Sequence, residues 1–364
     1  MKSTSSLDDE CSSGTESSDY FIHSKFDKRF PTKASGWKVN HLLDLGIYYD
    51  ETSMELQTFM TMLKEGLPKP KSTCSDREVP EIKKKMIQLT KDWWKFSFDF
   101  ESAEKSLVGS GVRESLQKTK EAVEIFEEEN HNIVESLTTT EQEDWKSLQV
   151  YSVWRMNVLD FWRYFFTLLT RWGKTYQRKE RFTSLFMAFS KICFLYPEPG
   201  KTYCDMIQIR DTMVQGIPDI RFLTLTSSPS AKKNLELLLV TEVQQYDAFT
   251  GDLSKSDTFT VEHISKAVLG QHGIELLMER ESSFFFPAGV VGLLCIGTKV
   301  IFTFLQISQG HYQMIREKGT VDKTNKATIS YTRPYDYMEA NDRAEILEVL
   351  FWFGYIQSSP DQFC

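Results

Sequence analysis

Residues 218–225 read Pro-Asp-Ile-Arg-Phe-Leu-Thr-Leu, and residues 235–244 read Leu-Glu-Leu-Leu-Leu-Val-Thr-Glu-Val-Gln. A polar stretch, Thr226 to Lys233, separates them. Two apolar runs around a polar turn read as a β-hairpin. With the turn centred near Ser230, Asp219 lies 11 residues before it and Glu242 lies 12 after it. Residues equally far from the turn of an antiparallel pair face each other. The two carboxylates are therefore expected to meet at the open end of the hairpin. Glu242 and Gln244 are two apart and share a face, while Val243 points to the other side.

That arrangement suits a hard divalent cation. Mg²⁺ takes oxygen ligands, commonly one or two carboxylates completed by water and phosphate. Asp219, Glu242 and the Val243 backbone carbonyl would supply such a set. A metal held there lowers the pKa of bound water and offsets charge on a phosphate.

Composition sets the frame. A chain of 364 residues suggests two domains, and 41% hydrophobic content supports a sizeable core. Aromatics make up 13%. The net charge of −8 gives no global basic field for nucleic acid. Six scattered cysteines form no C-x-x-C pair, which argues against a zinc site and for reduced intracellular thiols, nuclear or cytoplasmic. The polar N-terminus carries no secretory signal pattern. Residues 288–307 are mostly apolar, but Lys299 beside Gly297-Thr298 makes two buried strands the better reading than a membrane span. No membrane partner is expected. Phosphate-binding loops, dinucleotide fingerprints and Ser-His-Asp arrangements are absent from the sequence.

Along the chain, residues 1–35 read as a disordered acidic, serine-rich tail. Residues 36–199 show helical periodicity, with elements over 78–94, 113–136, 140–165 and 178–195. The aromatic series Trp145, Trp154, Phe161, Trp162, Phe165, Phe166 and Trp172 falls on helical spacing and reads as core. Pro197-Glu198-Pro199-Gly200 marks a domain boundary. From 200 to 364 the expected order is a helix over 201–215, the hairpin, a helix over 261–281, strands over 290–295 and 300–307, a strand over 327–332 and a helix over 341–356. That order is an α/β core with a mixed central sheet flanked by helices, following an all-α region.

Pro218-Asp219 followed by Glu242-Val243-Gln244 resembles the PD-(D/E)xK nuclease superfamily over residues 200–310. The resemblance implies a restriction-endonuclease-like core of a helix, three strands, a helix and a strand. It implies that Asp219 and Glu242 bind Mg²⁺ or Mn²⁺, and that Gln244 stands where the family most often has lysine. A neutral amide orients water but adds no positive charge beside the scissile phosphate. The 201–215 segment then offers Asp205 and Asp211 as accessory carboxylates, and Gln271 is similar to a substrate-contacting Gln of RecB-like nucleases. Glu275 stands where those nucleases carry Tyr. The implied activity is metal-dependent phosphodiester hydrolysis on DNA, with RNA as second candidate. The alternatives are a catalytically silent nuclease fold that binds nucleic acid or protein, and a helical interaction protein. His272, the Glu275–Glu279–Glu281 series, Lys83-Lys84-Lys85 and Arg178-Lys179-Glu180-Arg181 read as ordinary helix-surface or core residues.

Overall fold

A computed structural model describes residues 30–67, 84–100 in part, 121 and 124, 144–170, 178–200, 204–227, 233–250, 259–321 and 326–360. The expected helix over 113–136, the Lys83 and Lys85 positions, Trp172 and most of the expected tail lie outside these residues.

The chain is mixed α/β, built on one large mixed sheet. The helices that matter to the site are α1 (Val39–Asp44), α2 (Leu56–Gly66), α3 (Asp144–Thr170), α4 (Arg178–Ile192), α5 (Lys266–Met278), α6 (Gln309–Lys318) and α7 (Ala340–Ser358). The strands are β1 (Ile47–Tyr49), β2 (Glu198–Pro199), β3 (Asp205–Ile209), β4 (Thr212–Gly216), β5 (Ile220–Ser227), β6 (Lys233–Gln244), β7 (Val290–Ile296), β8 (Lys299–Gln306), β9 (Ala327–Tyr331) and β10 (Tyr335–Asp336). The sheet order is β1-β9-β8-β7-β6-β5-β2, with β10 also on β8.

The hairpin forms as its sequence implies. β5 and β6 are antiparallel, with Ile220 opposite Thr241. A bulge between Phe222 and Leu223 shifts the register by one residue nearer the turn. β6 is central, flanked by β5 and, in parallel, by β7. Its continuous run Leu237–Val240 is buried on both faces. That is why it reads as unbroken aliphatic residues rather than an alternation. The β6-to-β7 crossover is made by α5, since a parallel pair needs a long connection. The apolar stretch at 288–307 is the β7–β8 hairpin, closed by Gly297 at φ +61. A Cβ there would lie 2.2 Å from the Tyr246 ring, so a side chain is excluded twice over, by conformation and by space. No helix among the described residues is long and apolar enough to cross a membrane.

Three expectations are corrected. Residues 205–216 are not a helix but the antiparallel pair β3–β4, a separate two-stranded sheet. Ile207, Ile209, Thr212 and Val214 are buried while Met206, Gln208, Met213 and Gln215 are exposed. That is a period of two, carried by β-favouring residues, with Arg210 at φ 51 in the turn. Second, residues 30–35 belong to the fold. Phe30 is buried against Trp37, ring centroids 5.4 Å apart, and Gln215 N donates to Thr32 O at 2.8 Å. Third, the first half is not purely helical. β1 extends the sheet in parallel beside β9. Within the Pro197–Gly200 segment, Glu198 and Pro199 form β2 and pair with Arg221 and Ile220 of β5.

One core cluster joins α2, α3 and α4 to the sheet and to α7. The aromatic stripe of α3 lies inside it: Trp154, Phe161, Trp162 and Phe165 are buried, and Trp94 stacks edge-on against Phe161 at 4.8 Å. A second cluster seals the opposite face, where Val240 meets Ile274, Leu276 and Leu277 of α5. β6 thus sends Val243 into the α4 side and Glu242 toward the α5 side.

Candidate active site

Asp219 stands one residue before β5, and register continued from Ile220–Thr241 sets it opposite Glu242. Its backbone is clamped. Gly200 N donates to Asp219 O at 2.9 Å, and a Cβ on Gly200 would fall 1.3 Å from Pro218 O. Only glycine lets β2 approach that closely. The Asp219 Oδ2 accepts from Val243 N at 2.8 Å. An extended residue sends its N–H and C=O to the same edge, so the Val243 carbonyl also faces the Asp219 side. β6 is not an edge strand, yet β5 starts only at Ile220 and leaves that corner open.

Glu242 is fully buried. Gln244 Nε2 donates to Glu242 Oε1 at 2.6 Å, confirming that the two share a face. Glu242 Oε2 has no partner within the protein. Burial, and then the charge of Asp219, push the Glu242 carboxyl up to about 8 against the pull of Lys179.

The cation that sequence reasoning passed over is Lys179, second residue of α4. Its Nζ donates to Glu242 Oε1 at 2.9 Å and lies 3.0 Å from Asp219 Oδ2. Burial works against its charge, but Glu242 and Asp219 outweigh that and raise its pKa. Lys179 sits 63 residues from Glu242 in the chain, inside a run that looks like any charged helix surface. No spacing rule connects the two.

Glu275 is the second omission. It was expected on a solvated helix face and is instead 2% exposed. Its Oε1 accepts from Gln271 Nε2 at 3.1 Å, and its Oε2 is unpartnered. Burial, then the charge of Glu242, hold its carboxyl well above the ordinary range. Gln271 thus joins the site through Glu275. Glu279 is likewise buried, whereas Glu281 is exposed.

Other expected residues fall elsewhere. Asp205 pairs with Arg221, and Asp211 pairs with Arg210 at 3.2 Å on the exposed β3–β4 turn. Neither bonds to the Asp219–Glu242 pair, because the hairpin replaces the helix that would have aimed them there. His272 is fully buried, with Nε2 2.8 Å from Thr303 Oγ1, and burial holds its pKa down to about 3. It is a neutral core residue.

Among the described residues no three or more His, Cys, Asp or Glu side chains are grouped to hold a metal ion. The site instead offers two carboxylates sharing one cation, an unpartnered carboxylate oxygen and a backbone carbonyl. That donor set fits Mg²⁺ or Mn²⁺, which keep several waters and need few protein oxygens. No family model, no curated protein and no solved structure matches this chain.

Proposed function

We propose that the protein is a metal-dependent phosphodiesterase of the PD-(D/E)xK kind acting on DNA, with RNA as the second substrate class. The observation that carries this reading is the convergence of Asp219 and Glu242 on one ammonium, Lys179. In the proposed site Asp219, Glu242 and the Val243 carbonyl hold Mg²⁺ or Mn²⁺, which when bound supplies an activated water and a counter-charge for the phosphate. Gln244, anchored on Glu242, orients the water. Lys179 supplies the positive charge that position 244 lacks, from a helix rather than from the motif strand. Gln271 faces substrate from α5, while Glu275 and its neighbours exclude bulk solvent beneath it.

The element order supports a restriction-endonuclease-like core: α4, the β5–β6 hairpin, α5, then β7 parallel to β6. The chain departs from that plan before the hairpin. β4 pairs with β3 in its own small sheet, and the outer neighbour of β5 is the two-residue β2.

The test is cleavage of plasmid and single-stranded DNA and of RNA, with Mg²⁺ or Mn²⁺, by the full chain. Asp219→Asn and Lys179→Met are each expected to cut hydrolysis on the order of 100-fold. Cleavage that is absent in the wild type, or unchanged in Asp219→Asn, rejects catalysis here. A second reading, a silent nuclease fold serving as a nucleic-acid or protein binding module, draws on Lys179 and the Gln244 amide both being bonded to the same Glu242 oxygen. DNA binding without cleavage selects it.

A further inference from the structure

The geometry points to a single-cation seat between Asp219 and Glu242 that Lys179 Nζ fills in the resting chain, so that a divalent ion binds only in exchange for the ammonium. This rests on the assignment of those two carboxylates as metal ligands. It adds a regulatory property: the chain carries its own competitor for the metal.

Three observations support the exchange. Lys179 contacts one oxygen of each carboxylate, 3.0 Å from Asp219 Oδ2 and 2.9 Å from Glu242 Oε1. These are the groups that a divalent ion would draw on, and two cations cannot share a seat of that width without strong repulsion. Among the described residues Lys179 is the one cation paired with either carboxylate. The ammonium is also free to leave. Its side chain is 33% exposed and starts at the second residue of α4, so its flexible stem can swing to solvent while the buried face of the helix stays in place. Finally, Glu242 keeps Oε2 unpartnered, an oxygen in reserve for an incoming ion of higher charge. Displaced from between the carboxylates, the ammonium stays within the reach of its stem, where a bound phosphate would attract it.

The experiment is calorimetric titration of MnCl₂ and MgCl₂ into the full chain at fixed pH, without nucleic acid. Lys179→Met is expected to bind one ion at least about ten-fold more tightly than wild type, a difference of about 1.4 kcal/mol. Lys179→Arg, which keeps a cation, is expected to stay within about threefold of wild type, and Asp219→Asn to lose the site. Circular dichroism checks the fold of each. Equal or weaker binding by a folded Lys179→Met overturns the exchange, as does absence of binding in every form. If Lys179→Met does not fold, the wild type decides. In ¹⁵N-lysine-labelled protein the Lys179 ammonium signal should shift and lose protection as Mg²⁺ saturates, and an unchanged signal overturns the proposal. The outcomes separate it from the nuclease reading. Tighter binding by Lys179→Met without any hydrolysis keeps the seat and rejects the enzyme. Asp219-dependent hydrolysis with unchanged affinity keeps the enzyme and rejects the exchange.

Discussion

Two charge clusters sit two residues apart along the same hairpin, and they are built differently. At the open end, Lys179 bridges Asp219 and Glu242. Just inside, Arg221 bridges Asp205 and Glu279. Each has one cation between two carboxylates, and the α5 side contributes to both, Glu275 beside the first and Glu279, one turn later, in the second. The Arg221 cluster is closed: its side chain is 7% exposed, and the second Glu279 oxygen accepts from Ser282 Oγ at 2.6 Å. The Lys179 cluster is more open, with a half-buried lysine and an unpartnered Glu242 oxygen. A guanidinium sealed between two carboxylates fixes a structure, whereas a partly exposed ammonium beside a carboxylate with an unpartnered oxygen leaves a position for chemistry. Buried polar groups left unsatisfied cost stability and are retained at working sites.

The largest expected effect breaks the closed cluster. Arg221→Met leaves the buried Glu279 and the half-buried Asp205 without their cation and should cost about 3 kcal/mol. Urea unfolding measures it, and a variant as stable as the wild type would show that Arg221 does not hold the sheet to β3 and α5. Asp219→Asn belongs to the open cluster and should do the reverse: hydrolysis falls on the order of 100-fold while the unfolding midpoint hardly moves.

His272 sharpens the comparison with a buried polar residue of α5 that belongs to neither cluster. Its folded pKa, about 3, lies below the ordinary histidine value. The unfolded chain therefore binds the extra proton. Stability from this residue is complete above about pH 6.5 and declines as pH falls toward 3, by about 1.4 kcal/mol per pH unit where one proton separates the states. The stability–pH curve of His272→Gln, compared with wild type over that window, should lack this slope, and parallel curves would refute it. The smallest effect is expected at Glu242. Burial and then the charge of Asp219 disfavour the ionised form of Glu242, so a neutral isostere loses little there, and Glu242→Gln should be as stable as the wild type at pH 7 or more so, by about 1 kcal/mol. A loss of stability would place Glu242 among the structural ion pairs with Arg221.

The hairpin was legible because strand pairing is a local rule. A polar turn between two apolar runs fixes which residues face, and Ile220–Thr241 pairing carries Asp219 to Glu242. The β7–β8 hairpin, α5 and α7 were legible for similar reasons of length and apolar pattern. The β3–β4 segment was not, since its alternation spans only five residues per strand and its turn uses Arg-Asp rather than glycine. Asp205 and Asp211 followed that misreading away from the site. The buried Glu275 and Glu279 were hidden because acidic residues on a helix read as solvated until the sheet that covers them is known.

By itself, then, the sequence determined the facing carboxylates, the amide at 244, the helix that follows the hairpin and the core role of the α3 aromatics. These depend on contacts a few to a few tens of residues apart, set by backbone periodicity. Only the tertiary structure decided that Lys179 is their cation, that Arg221 belongs to a separate closed cluster, and that the first half of the chain contributes β1 to the sheet. Each of those brings together segments far apart in the chain, and distance in sequence carries no rule for which charges will meet once a core has closed around them.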